Sequence, residues 1–236
     1  MKLVEHPWLS IFLLCVLYVI FQGIIPFLLV GFIYLDFYFY MQFISLALLW
    51  LIVVPFGLHL PNGHETYSQY LDSIRLTRIR PTTRNLLLGI CCAFIVLICT
   101  LFGSILTGKY IFDMNQILPP TSFMFIGALT PGIWEEFLFR GAILTILLKK
   151  YPVRKAIIYA ALIFGIWHGL TIINILWMEM SLLEILALPI KVFYAFFTGL
   201  FLSYLFVKSE SLIPGIITHY LIDALVALVI YAQVRI

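Results

Sequence analysis

The chain has 236 residues, 64% of them hydrophobic and only 11% charged, with a formal net charge of +3 and a mean hydropathy of +1.12. That balance excludes a water-soluble globule and indicates an all-α, polytopic membrane protein of about seven to eight transmembrane helices. The charge is too small and too scattered for nucleic acid to be a partner.

A spanning helix needs about 20 mostly apolar residues, and seven segments qualify: roughly 8–34, 38–60, 85–107, 121–148, 156–178, 182–206 and 211–234. The first follows Lys2, is too long for a signal-peptide core and has no small-x-small cleavage pattern after it, so it reads as a retained span. Cys15, Cys91, Cys92 and Cys99 all fall inside apolar runs and read as buried thiols rather than a disulfide framework or a CxxC metal pair. His6, His59 and His64 fall at or outside span boundaries and are expected to be solvated or interfacial.

The polar 61–84 stretch carries Arg75, Arg78, Arg80 and Arg84, "KKYPVRK" at 149–155 carries four more basic residues, and Lys208 follows in the next loop on that side. Together with Lys2 these outnumber Lys109 and Arg235 on the other side, which by the positive-inside tendency places the N-terminus and these loops in the cytoplasm of a plasma-membrane protein. The 61–84 arginines read as a topology signal, with contact to anionic headgroups as the alternative. No internal repeat, low-complexity tract or glycine-rich phosphate loop is visible, so one helical membrane domain, 1–236, accounts for the chain.

Ionisable groups at bilayer depth cost about 2.5–3.5 kcal/mol each by the lower insertion scales unless paired or facing a wet cavity. Those at depth are Glu135, Glu136 and Arg140, then His168, Lys191, His219 and Asp223. Glu136 and Arg140 are four apart, on one helix face and within reach of an ion pair; Glu135 is turned about 100° away. Glu136 is therefore the structural partner, and Glu135 the carboxylate without a local counter-ion. His219 and Asp223 share the same spacing, as do Phe164 and His168, with Phe164 expected to pack where His168 reacts. Lys191 reads equally as a counter-ion to a glutamate or as a snorkelling cation. Counted from each span's cytoplasmic end at about 1.5 Å per residue, Glu135, His168 and Asp223 lie roughly 18–20 Å deep and His219 roughly 12 Å.

Two histidines and two or three carboxyl groups in one layer suit hydrolysis: a carboxylate takes a proton from water, a histidine orients it, and other donors hold the oxyanion. Metal-assisted hydrolysis is the second chemistry, with Glu135, His168 and His219 as zinc ligands. Against it, HExxH is missing and no two histidines share a helix face.

At these residues the chain resembles a family. "EEFLFR" (Glu135 to Arg140) fits the EExxxR motif, "FGIWH" (Phe164 to His168) the FxxxH motif, and "HYLID" (His219 to Asp223) the third motif of the CAAX prenyl protease type II and bacteriocin-processing (CPBP, "Abi") intramembrane proteases. The three occur in order on separate spans within 121–234; the first three spans are similar to the family only in being hydrophobic. The resemblance implies an eight-helix-type fold with a cavity open to cytosol and bilayer, Glu135 as base with His168, and His219 with Asp223 at the oxyanion, Glu136, Arg140 and Phe164 supporting. Where the family's third motif ends in Asn or Asp, this chain has Asp223, which donates a hydrogen bond only when protonated. The preferred reading is that Asp223 orients His219 as an aspartate does in a hydrolytic triad.

The expected function is an intramembrane endopeptidase acting on a small peptide or membrane-associated protein in the lipid bilayer, with no cofactor required and zinc as the alternative. The competing reading is a non-catalytic scaffold or bacteriocin-immunity protein of the same fold.

Overall fold

The structure, a computed structural model, describes residues 3–30, 35–77, 82–106, 110–112, 127–170, 182–231 and 233–235. A chain in hydrocarbon must satisfy its backbone polar groups internally, which leaves the helix as the element for each apolar run. Helix α1 (Pro7–Val19) starts on a proline, whose missing N–H is no loss in a first turn, and continues through a π-helical turn, Ile20–Ile24, into α2 (Ile25–Val30). Helix α3 (Leu35–Leu48) passes into a π-helical stretch, Leu49–Leu58, that contains Pro55 and stops at His59 in the left-handed conformation. Short α4 (Tyr67–Ser73) is followed by α5 (Thr82–Leu106). The EExxxR segment forms two π-helical stretches, Pro131–Glu135 and Phe137–Leu144, and ends as α6 (Thr145–Lys150); together they are called the motif helix below. Then come α7 (Val153–Gly169), α8 (Leu182–Ser209), interrupted by Pro189, and α9 (Ile213–Tyr231).

Among the described residues the secondary structure is helical apart from one three-residue antiparallel pairing, Tyr110–Phe112 with Gln233–Arg235. These two segments adjoin Lys109 and contain Arg235, the residues that the alternation of spans places on the same side. Three helical runs among the described residues are long and apolar enough to cross a membrane: Pro7–Leu29, Phe37–Leu58 and Leu188–Ser209. That is fewer than the seven expected. Each of the other four candidates runs into residues outside the described set, and the motif helix adds charges at its centre.

The motif helix is the axis of the packing. Every residue from Trp134 to Leu144 is buried, with α1, α7, α8 and α9 against it, as suits a helix apolar on nearly all sides. Around it, α7 packs on α8 and α5 on α9. Small residues allow these approaches in a solvent where burial of apolar surface gives no drive. A Cβ on Gly132 would stand 2.8 Å from the Tyr220 Cα, and one on Gly199 would stand 3.1 Å from the Ala161 Cα. Facing outward, α1, α5 and α8 expose Phe12, Ile95, Ile98, Leu186, Ile190 and Phe193, a surface made for lipid rather than water.

The polar stretch after α3 is more than a connector. A capping box between Thr66 and Gln69 starts α4. Tyr70, fully buried, donates its hydroxyl to the Trp50 carbonyl at 2.7 Å, and Ile74 packs beside Gly141 of the motif helix. Arg75 has a partner within the fold: its guanidinium donates to the Phe206 carbonyl and covers the Phe206 ring. One expectation changes here. His64 is not solvated but buried, and its Nε2 meets the Pro55 carbonyl at 2.9 Å. Arg78 and Arg80 lie outside the described residues, and Arg84 is exposed.

Burial pushes the His64 imidazole below its ordinary value of 6.5. The unfolded chain therefore takes up a proton that the folded one resists, so this contribution to stability is complete above the unfolded value and lost as pH falls below it. Hydrogen exchange should report weaker protection of the Tyr70 and Ile74 amides as pH drops from 7 to 5, and no such drop in His64→Asn. Gly132→Ala is expected to destabilise the protein by about 1–3 kcal/mol through overpacking, read as the thermal midpoint in detergent. Gly127→Ala, where a Cβ meets nothing within 4 Å, should leave that midpoint unchanged.

Candidate active site

In the motif helix the carboxylates of Glu135 and Glu136 are both buried, at 7% and 0% exposure, in the two π-helical stretches and at the junction between them. A π-helix bonds i to i+5 and is wider than an α-helix, a form met often at functional sites. Arg140 Nη1 donates to Glu136 Oε1 at 2.7 Å, the ion pair that the i,i+4 spacing suggested. The guanidinium also sits 4.4 Å above the Phe164 ring, so a fully buried cation has both a carboxylate and a π-face.

Glu136 has a second partner that the sequence did not disclose. The same Oε1 accepts from His219 Nδ1 at 2.8 Å, across 83 residues of sequence. A Cβ on Gly215 would stand 2.8 Å from Glu136 Oε2, so glycine one turn before His219 makes room for the carboxylate. The orienting role assigned to Asp223 thus falls by geometry to Glu136: Asp223 Oδ2 lies 3.6 Å from His219 Nε2, the opposite ring nitrogen. Spacing alone could not find this, because Asp223 is the only carboxylate on His219's own helix face.

His168 is held from its own helix. Its Nδ1 lies 2.9 Å from the Phe164 carbonyl, which can only accept, so Nδ1 carries the proton and a neutral ring leaves Nε2 as a lone pair. The Phe164 ring packs 4.4 Å from the imidazole. Nε2 faces Glu135 Oε2 at 3.9 Å, while His219 Nε2 approaches the same oxygen at 4.0 Å. Both gaps are too long for a hydrogen bond, and Glu135 Oε2 is buried without a protein partner. Glu135, His168, His219 and Asp223, from three helices, are thus gathered around one point.

Exposure divides the group. His168 and Asp223 keep 25% and 34% of their side-chain surface, whereas Glu136 and Arg140 keep almost none. A substrate reaches the first pair and not the second. Lys191 is exposed on α8 and within electrostatic reach of His168. Among the described residues no three His, Cys, Asp or Glu side chains are arranged to hold a metal ion, the Glu135, His168 and His219 set included.

Residues 117–225 match one family model, Type II CAAX prenyl endopeptidase Rce1-like. Over that segment the chain is similar to this family. The match contains all three motifs and therefore every residue of the cluster just described. This agrees with the resemblance read from the motifs. No curated protein and no solved structure matches the chain.

Glu136→Gln should separate orientation from packing. An amide can still accept from one partner but cannot balance both Arg140 and His219. Cleavage is expected to fall by about 10²–10⁴-fold, the range for a displaced acid–base group, with substrate binding retained. Arg140→Met, which strands a buried carboxylate, should instead destabilise the fold by about 3–5 kcal/mol, measured by thermal unfolding.

Proposed function

We propose that the protein cleaves a peptide bond in a small peptide or membrane-associated protein by attack of a water activated by Glu135 and His168, without a required metal. What supports this reading is the spacing at Glu135 Oε2: two imidazole nitrogens stand 3.9 and 4.0 Å away, a span bridged by one oxygen atom rather than by a direct bond. A water there donates one hydrogen to Glu135 and the other to the lone pair of His168 Nε2, which turns its own lone pair toward the substrate carbonyl.

As the water oxygen bonds to the carbonyl carbon, its proton passes to Glu135 and the carbonyl oxygen becomes an oxyanion. His219, its Nδ1–H fixed on Glu136, presents Nε2 beside Asp223. With a proton on Nε2 it donates to that oxyanion, and the Asp223 carboxylate, 3.6 Å from the same nitrogen, favours the protonated ring. Collapse breaks the carbon–nitrogen bond, and Glu135 returns its proton to the leaving amine, giving a carboxylic acid and an amine; the acid proton then passes to the amine, so that the products leave as carboxylate and ammonium. The positive-inside tendency of the basic loops supports a cytoplasmic N-terminus, in the plasma membrane as the proposed location.

The test uses purified protein in lipid bilayers with two quenched fluorescent probes, a peptide ending in a prenylated Cys-aliphatic-aliphatic-X and an unmodified leader-type peptide. Wild type is expected to cut at least one of them, equally with and without chelator. Glu135→Ala and His168→Ala should each lose about 100-fold or more. Unchanged cleavage in both variants overturns the assignment of these residues, and chelator sensitivity overturns the metal-free mechanism.

A further inference from the structure

Helix α1 lies outside the Rce1-like segment, yet it brings a polar group to the same layer. Its Tyr18 is fully buried, and the hydroxyl is buried with no hydrogen-bond partner. A phenol is not left so without cost: an unmet buried hydroxyl forfeits the bonds it made to water. Among the described residues two carboxylate oxygens are in the same condition, Glu135 Oε2 and Glu136 Oε2, and of these two side chains Glu135 is the one within electrostatic reach of Tyr18.

Packing fixes the ring independently. Tyr18 stands edge-on to Trp167, centroids 5.5 Å apart, and Trp167 is the immediate neighbour of His168 in α7. Trp167 in turn meets Phe139, which lies between the two acidic residues and Arg140 in the motif helix. Depth agrees as well. The start of α1 is level with the 149–155 loop, since Trp8 Nε1 donates to the Tyr151 hydroxyl at 3.2 Å. From Pro7 to Tyr18 is about 17 Å of helix, the depth at which Glu135 and His168 sit by the same measure.

We propose that Tyr18 is a positioning residue of this site: its hydroxyl and Glu135 Oε2 together hold the attacking water, the phenol donating to the water oxygen or to the carboxylate as the proton moves. This rests on the hydrolytic reading above. A donor and an acceptor that are each unmet alone are both satisfied by one shared water, and the water gains a fixed direction of attack. The Tyr18 ring fills space that phenylalanine fills equally, so the hydroxyl can be removed alone.

Tyr18→Phe is expected to lower kcat by about 10- to 100-fold, the effect of one lost buried hydrogen bond, with KM and the thermal midpoint within error of wild type. 3-Fluorotyrosine at position 18, which restores the hydroxyl, should recover the rate. A kcat within twofold of wild type in Tyr18→Phe overturns the proposal. A second arm needs no turnover: the fluorine resonance of 3-fluorotyrosine at position 18 should move by more than its linewidth when Glu135→Gln is added, and stay in place with the exposed Glu210→Gln. No movement with Glu135→Gln overturns the link between the two groups, whatever the cleavage assays give. Full cleavage by Glu135→Gln alone would instead remove the hydrolytic reading, so the two failures are told apart.

Discussion

A carboxylate with no water around it dictates the arrangement of this protein's centre. Glu136 is wholly buried, and an isolated charge there is far costlier than any packing defect. One oxygen, Oε1, answers the problem twice, binding Arg140 within its own helix and His219 from α9. The first bond makes the motif helix tolerable at the core. The second ties two helices together and fixes which nitrogen of His219 faces the cavity. Glu135, one residue earlier, is left without such a partner because Glu136 has taken both.

Successive side chains on a helix diverge by about 100°, so the adjacent carboxylates meet different neighbours. Here both are buried, with Glu135 opposite α7 and Glu136 opposite α9. His168 and Asp223 remain partly open and give the cluster a reachable side, so the charged support lies behind the chemistry rather than beside it.

Much of this was legible in the sequence. Apolar runs predicted a helical membrane fold, and the three motifs pointed to the family whose model matches residues 117–225. Four-residue spacing separated Glu136 from Glu135, because a helix of either kind keeps such neighbours in reach. What the sequence concealed depends on tertiary contact. Nothing local marks Glu136 as the partner of His219; Asp223, on the same helix, was the orienting carboxylate that spacing offered, and it meets the other ring nitrogen. Tyr18 sits in an apolar run among many other aromatics, so no pattern distinguishes it from lipid-facing tyrosines. His64 looked like a loop histidine, and only the fold of α4 over the end of the π-helical stretch encloses it.

The 83 residues between Glu136 and His219 set an order of events during synthesis. The Glu136–Arg140 pair can close within its own helix as soon as that helix leaves the translocon. His219 arrives only when α9, the third helix after the motif helix, has been inserted beside α5. Until then Glu136 is an ion pair facing an unfilled slot, and Glu135 has no second imidazole across from it. The nascent chain therefore carries its acidic residues into the membrane before their imidazole partner exists, and the full cluster appears late, as a property of the assembled bundle.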